Sequence, residues 1–158
     1  MSRTHRVAIT VNGKKYEREV EPRMLLGDFL REEIGMTGVH HGCEHGVCGA
    51  CTILVDGDSV RACLMFAVQA DGAEITTVEG IGQPGNLHPL QQSFWDHHGL
   101  QCGFCTPGML LSSIDLIKKY PLNNDEEIRH GLAGNICRCT GYQNIITAVR
   151  EAAPKVRG

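Results

Sequence analysis

Residues 42–52 read Gly42-Cys43-Glu44-His45-Gly46-Val47-Cys48-Gly49-Ala50-Cys51-Thr52, and the three cysteines, separated by four and then two residues, decide how the rest of the chain is read. Cys63 follows after a gap of eleven. Further on stand Cys102-Gly103-Phe104-Cys105 and, after a long interval, Cys137-Arg138-Cys139. These eight are all the cysteines of the 158 residues, so they form two compact quartets with none left over. Gly42, Gly46 and Gly49 interleave the first three, and Gly103 lies within the second hook with Gly108 just after it. Glycine lets a loop turn sharply and bring its backbone N–H groups close to whatever it encloses.

The x4, x2, distant-fourth order of the first quartet matches the plant-type ligand run for a [2Fe–2S] cluster. Two quartets therefore read as two iron–sulfur clusters, and the chain as a conduit for electrons. Structural zinc stays open for either quartet, because both metals accept all-cysteine ligation. Zinc favours pairs of CxxC hooks, however, and only Cys48–Cys51 and Cys102–Cys105 have that form. A disulfide scaffold fits poorly, since such scaffolds are short and cysteine-dense, whereas this chain is 42% hydrophobic and long enough to bury proper cores. The start, Met1-Ser-Arg-Thr-His-Arg-Val7, lacks an apolar signal core, and no stretch is long enough to span a bilayer. The expected compartment is the cytoplasm, where disulfides seldom persist.

Other chemistries find little support. His40 and His41 precede the first cysteine, and a histidine replaces thiolate in Rieske-type ligation. Four cysteines already complete the set, so surface or packing roles are expected for the histidines. A net charge of −3 with mixed signs gives no basic stripe for nucleic acid. No phosphate-cradling glycine loop precedes a helix, which argues against direct nucleotide binding, and no nucleophile–base pair stands out.

The two halves differ in period. Val7, Ile9 and Val11 alternate as a half-buried strand, Asn12-Gly13 signals a hairpin, and Lys15 to Val20 returns. After Pro22, Leu26, Phe29, Leu30 and Ile34 share one helical face, with Gly35 as the stop. Cys51 to Val55 and Val60 to Phe66 read as strands joined at Asp56-Gly57-Asp58, placing Cys63 on the fourth strand, and Glu74 to Val78 as the last. Residues 80–86 are rich in chain breakers and read as a linker. Helical spacing follows in Leu87 to His98 and in Leu110, Leu111, Ile114 and Ile117 behind Pro107. Asn124 with Glu127 has the form of a capping box, and Tyr142, Ile145, Ile146 and Val149 make a stripe ending at Pro154. The expectation is an α+β chain of two domains, residues 1–80 and 87–158, with a linker at 81–86. The second domain resembles a four-helix bundle whose two hooks, just before its second and fourth helices, meet at one end.

Strands around one helix with a cysteine loop before the third strand resemble the β-grasp fold of plant-type ferredoxins. More specifically, Gly42 to Thr52, Gln101-Cys-Gly-Phe-Cys-Thr-Pro-Gly-Met109 and Gly134-Asn-Ile-Cys-Arg-Cys-Thr-Gly-Tyr142 resemble the signatures of the xanthine oxidase family. As a separate short chain it resembles the iron–sulfur small subunit of bacterial molybdenum hydroxylases, nearest the carbon monoxide and N-heterocycle dehydrogenase branches. The resemblance implies a distal [2Fe–2S] cluster on Cys43, Cys48, Cys51 and Cys63 and a proximal one on Cys102, Cys105, Cys137 and Cys139. It implies that Gln101 and Cys139 lie against a molybdenum–pterin cofactor, as molybdopterin cytosine dinucleotide, held by a large partner subunit. A medium partner subunit would hold FAD, the assembly would be a dimer of heterotrimers, and electrons would run from molybdenum through the proximal and distal clusters to the flavin. Substrate and final acceptor, flavin or cytochrome, would be set outside this chain. The alternative is a free-standing two-cluster ferredoxin serving several enzymes.

Overall fold

Strands β1 (His5–Val11) and β2 (Lys14–Val20) pair antiparallel across Asn12-Gly13, both of which adopt positive φ, the conformation a two-residue hairpin demands. The computed structural model describes residues 4–157; Met1, Ser2, Arg3 and Gly158, the outer ends of the two expected domains and the start of the segment read for an export signal, lie outside the described residues. Val7, Ile9 and Val11 point into the core, whereas β2 buries only Val20 and carries charge along its length. Charge of this kind suits an edge strand, where it discourages pairing with another chain.

The predicted helix after Pro22 forms as α1 (Leu26–Asp28) and continues as a π-helical turn, Phe29–Glu33. Leu26, Phe29 and Leu30 are buried as expected, and the wider turn leaves Ile34 half-buried. Strands β3 (Thr52–Val55) and β4 (Asp58–Arg61) form the second hairpin, and β5 (Glu74–Thr76) closes the sheet. The order is β2-β1-β5-β3-β4, with β5 parallel to β1 and antiparallel to β3.

The fourth strand stops five residues short of its expected end. Arg61 is its last residue, and Cys63 sits instead on a 3-10 turn, Ala62–Leu64. Ala62 and Cys63 are both buried, which consecutive residues of a strand facing one core cannot be. The segment then pairs with the approach to α1, through Leu26 N–H to Met65 O at 2.7 Å and Ala67 N–H to Met24 O at 2.8 Å.

The second half comprises α2 (Pro89–Asp96), α3 (Thr106–Lys119), α4 (Asp125–Gly131) and α5 (Gln143–Arg157). Asn124 caps α4 by accepting from Glu127 N–H at 3.0 Å, while the Glu127 carboxylate reaches back one residue further than a capping box, to Asn123 N–H at 2.8 Å. Pro154 does not end α5. Its missing N–H leaves a single carbonyl without a donor, and Arg157 ties the last turn to the end of α3 by donating to the carbonyls of Ile117 and Tyr120. Among the described residues no helix is long and apolar enough to cross a membrane.

Each half has its own core, and strand β3 serves both. Ile53 faces α1 and the ferredoxin-like core, whereas Leu54, one residue on, packs among Leu110, Ile114 and the other apolar groups of the helices. The period of two along a strand places the helical half on the opposite face of the sheet from α1.

Candidate metal centres

The loop of residues 42–51 is held open by positive φ at Glu44, Gly46 and Gly49. Two of its amides turn inward, so that Val47 N–H and Cys48 N–H donate to Cys43 Sγ at 3.2 and 3.3 Å. Backbone N–H groups, those of Cys48 and His45 foremost, pull the Cys43 thiol down to about 6. Cys51 and Cys63 are buried side by side just beyond the Thr52–Arg61 end of the β3–β4 pair, and that burial together with the neighbouring thiol pushes Cys51 up to about 11. The quartet thus consists of a half-buried outer pair, Cys43 and Cys48, and a buried inner pair, Cys51 and Cys63.

The second quartet repeats the division. Cys105 caps α3 and lies beside the buried Cys137, and burial next to that thiol pushes Cys105 up to about 12. Thr140 Oγ1 donates to Cys137 Sγ at 3.1 Å. The outer pair, Cys102 and Cys139, is exposed with the two sulfurs 3.4 Å apart, and Gln101 is exposed beside it. That distance is far beyond a disulfide bond, and all eight cysteines are free. Tyr142, expected on the α5 stripe, instead precedes the helix with a φ of 69°, and its hydroxyl accepts from Cys137 N–H at 2.9 Å. Among the described residues, no three His, Cys, Asp or Glu side chains converge where a single metal ion could sit; the thiols approach in twos.

Nothing in the sequence announces that the two loops touch. Ile136 N–H donates to the carbonyl of Cys48 at 2.8 Å, joining a residue of one quartet to the neighbour of Cys137 in the other. Gly108 makes the approach feasible, for a Cβ there would lie 2.1 Å from Gly49 O. Gly49 in turn, at φ 74°, leaves no room for a side chain against Gly134 O, 2.6 Å from its Cβ direction. His40 is engaged with the second loop, its Nδ1 2.7 Å from Phe104 O and its ring stacked on Phe104 at 4.9 Å. His41 Nδ1 lies 3.4 Å from an Asp28 carboxylate oxygen. The His40 ring is thus held by the second loop, whereas His41 turns Nδ1 toward Asp28 and buries Nε2 without a hydrogen-bond partner.

Residues 9–76 match the family described as 2Fe-2S iron-sulfur cluster binding domain, and residues 77–150 match the family described as [2Fe-2S] binding domain. The gamma subunit of caffeine dehydrogenase from Pseudomonas sp. (strain CBB1) is 53% identical over 154 residues, covering 96% of this chain and 92% of that subunit. The chain belongs to the iron–sulfur small subunits of the xanthine oxidase family of molybdenum hydroxylases. The nicotine 6-hydroxylase small subunit of Paenarthrobacter nicotinovorans is 49% identical over 150 residues, 95% of this chain and 90% of that one. A chain in the crystal structure of quinoline 2-oxidoreductase from Pseudomonas putida 86 superposes with a TM-score of 0.93 at 50% identity, over 99% of this chain and 98% of that one. The α+β class and the order of the two iron–sulfur domains hold as the sequence predicts. The relatives are iron–sulfur subunits of oxidoreductase complexes, and this chain belongs with them.

Proposed function

We propose that each quartet holds one [2Fe–2S] cluster and that the chain carries electrons from a molybdenum–pterin centre in a large partner subunit to FAD in a medium one. The observation that carries this reading is the hydrogen bond from Ile136 N–H to Cys48 O, which sets the two thiol quartets against each other across the domain boundary. A [2Fe–2S] cluster, when bound, supplies one-electron chemistry at a potential tuned by hydrogen bonds to sulfur and by exposure. The donor set fits such a cluster. Cys102 lies 3.4 Å from Cys139 and Cys105 beside Cys137, an arrangement that suits two irons taking two thiolates each. The amides of Val47 and Cys48 and the Thr140 hydroxyl already point at sulfur.

Cys43, Cys48, Cys51 and Cys63 would be the ligands of the distal cluster, and Cys102, Cys105, Cys137 and Cys139 those of the proximal one. The exposed face formed by Gln101, Cys102 and Cys139 is assigned to the large subunit and its pterin. Three relatives are named for oxidising caffeine, nicotine and quinoline, all nitrogen heterocycles, and the same substrate class is proposed for the complex this chain serves. Co-expression with the neighbouring reading frames tests the assignment. Co-purification in fixed stoichiometry with a molybdenum-binding and a flavin-binding chain is expected; a chain that purifies alone and reduces several unrelated acceptors would instead be a free-standing ferredoxin.

A further inference from the structure

Between the two quartets lies a polar network whose principal members, Arg61 and Asn135, belong to neither set of thiols. Arg61 ends β4, two residues before Cys63, and reaches across to the other half. Its Nη1 donates to Thr52 Oγ1 at 2.5 Å, and Thr52 directly follows Cys51. Its Nη2 donates to Gly134 O at 2.7 Å and to Asn135 Oδ1 at 3.3 Å. Asn135, two residues before Cys137 and only 4% exposed, reaches in the opposite direction: its Nδ2 donates to Gly49 O at 3.1 Å and lies 3.5 Å from Thr52 Oγ1. The Thr52 hydroxyl donates to Gly49 O at 2.6 Å, which closes the network. Buried polar networks that are fully satisfied specify one rigid arrangement. Arginine suits the task because its planar fork fixes several donor directions at once, which a lysine ammonium does not.

We propose that Arg61 and Asn135 are positioning residues that fix the separation and relative orientation of the two cluster-holding loops, and thereby the ease of electron passage between them. The inference rests on the two-cluster reading above. The fold supplies its own control. A second tie joins the same two halves at the other end of β4, where Lys119 Nζ lies 2.7 Å from Asp58 and 2.8 Å from Asp115, and Ser59 Oγ donates to Asp115 Oδ2 at 2.7 Å. General cohesion between the halves draws on both ties, whereas only the Arg61–Asn135 tie reaches the two loops, where it adds side-chain bonds to the Ile136–Cys48 and His40–Phe104 contacts.

The test compares Arg61→Met, Asn135→Ala, Arg61→Lys and Lys119→Met in the assembled complex, reduced with dithionite for low-temperature paramagnetic resonance and, from the oxidised state, mixed rapidly with a reducing substrate to follow the inter-cluster step. Arg61→Met and Asn135→Ala are expected to alter or abolish the magnetic splitting between the two clusters and to slow the inter-cluster step several-fold. Each cluster's own signal stays. Arg61→Lys should fall between these variants and the parent, and Lys119→Met should lower the melting temperature while leaving the splitting as in the parent. Unchanged splitting and rate in both Arg61→Met and Asn135→Ala would overturn the proposal. So would loss of a cluster even in Arg61→Lys, because Arg61 would then be a requirement of loop folding and not of spacing. A parent complex without two paramagnetic species fails at the earlier step and removes the two-cluster reading itself.

Discussion

Each thiol quartet has a more buried pair and a more exposed pair, but the second is the more open throughout. Cys105 is half-buried where Cys51 and Cys63 are buried, and Cys102 and Cys139 are exposed where Cys43 and Cys48 are half-buried. At the first, Cys43 and Cys48 are half-buried and Cys43 already receives backbone donors. At the second, Cys102 and Cys139 are exposed, with Gln101 beside them and the apolar side chains of Phe104 and Ile136 also exposed. The loops of the two quartets meet at the boundary between halves, where Ile136 N–H donates to Cys48 O. One chain thus holds a site whose outer thiols are partly covered and a site whose outer thiols are open, with exposed apolar side chains beside both, Val47 and Leu64 at the first, Phe104 and Ile136 at the second. Open thiolates beside exposed apolar groups are what a subunit built to be completed by a partner displays, in keeping with proposed contact to the large subunit.

The largest test of this contrast is to delete one site at a time. Replacing Cys105 by serine is expected to remove the second cluster and abolish turnover with a distal acceptor, while the first site still assembles and keeps its own resonance signal. Cys51→Ser should do the reverse to the signals. Full acceptor-linked activity in Cys105→Ser would contradict the proposed order of electron flow.

Exposure itself predicts the next effect. In the chain without partners, iron at the second site should be released to a chelator well before iron at the first, since its outer thiolates are reachable. Assembly with the large subunit should remove most of that difference. Simultaneous release in the free chain, followed by resonance spectroscopy over time, would erase the distinction between a covered and an open site.

A smaller effect tests whether the halves are independent. Leu54→Ala is expected to cost about 2–5 kcal/mol, and the loss should be felt in the helices it packs against. Ile53→Ala, one residue earlier, should cost a similar amount but loosen the ferredoxin-like core. Hydrogen exchange at α3 and α1 amides separates the two, and identical exchange patterns would mean that the domains share a single cooperative core.

The smallest effect concerns the tie at Lys119. Burial raises the Asp115 carboxyl, but hydrogen bonds from Lys119 and Ser59 outweigh it and leave the group below its ordinary value. A carboxyl with a depressed folded value contributes stability that is present above the unfolded value of about 3.9 and lost as pH falls through the folded one. Asp115→Asn should therefore lower stability at neutral pH by about 1 kcal/mol and flatten the acid limb below pH about 4. An unchanged acid limb in a urea titration across pH would show that this carboxylate does not contribute.

Local structure is legible in this sequence, and long-range contact is not. Asn12-Gly13 defines the first hairpin because two positive φ values in succession favour those residue types. The spacing of eight cysteines foretold two groups, but not that each divides into an inner and an outer pair, which depends on where the sheet and helices bury them. Val60 to Phe66 reads as a strand carrying Cys63, but a 3-10 turn at Ala62–Leu64 breaks it and turns Ala62 and Cys63 inward together. Pro154 carries a true local preference against continuing a helix, overridden by Arg157 bonding to the end of α3. The contacts of Asn135, Arg61 and Ile136 join residues more than seventy positions apart, and no periodicity records such a meeting.

The central claim is two pairs of iron atoms, each held by four thiolates, one pair in each half of the molecule. Iron and acid-labile sulfide analysis with low-temperature paramagnetic resonance of the dithionite-reduced protein tests it most directly. Two irons and two sulfides per quartet, with two distinguishable signals, are predicted; zinc in either quartet, or one signal accounting for all the iron, would contradict it.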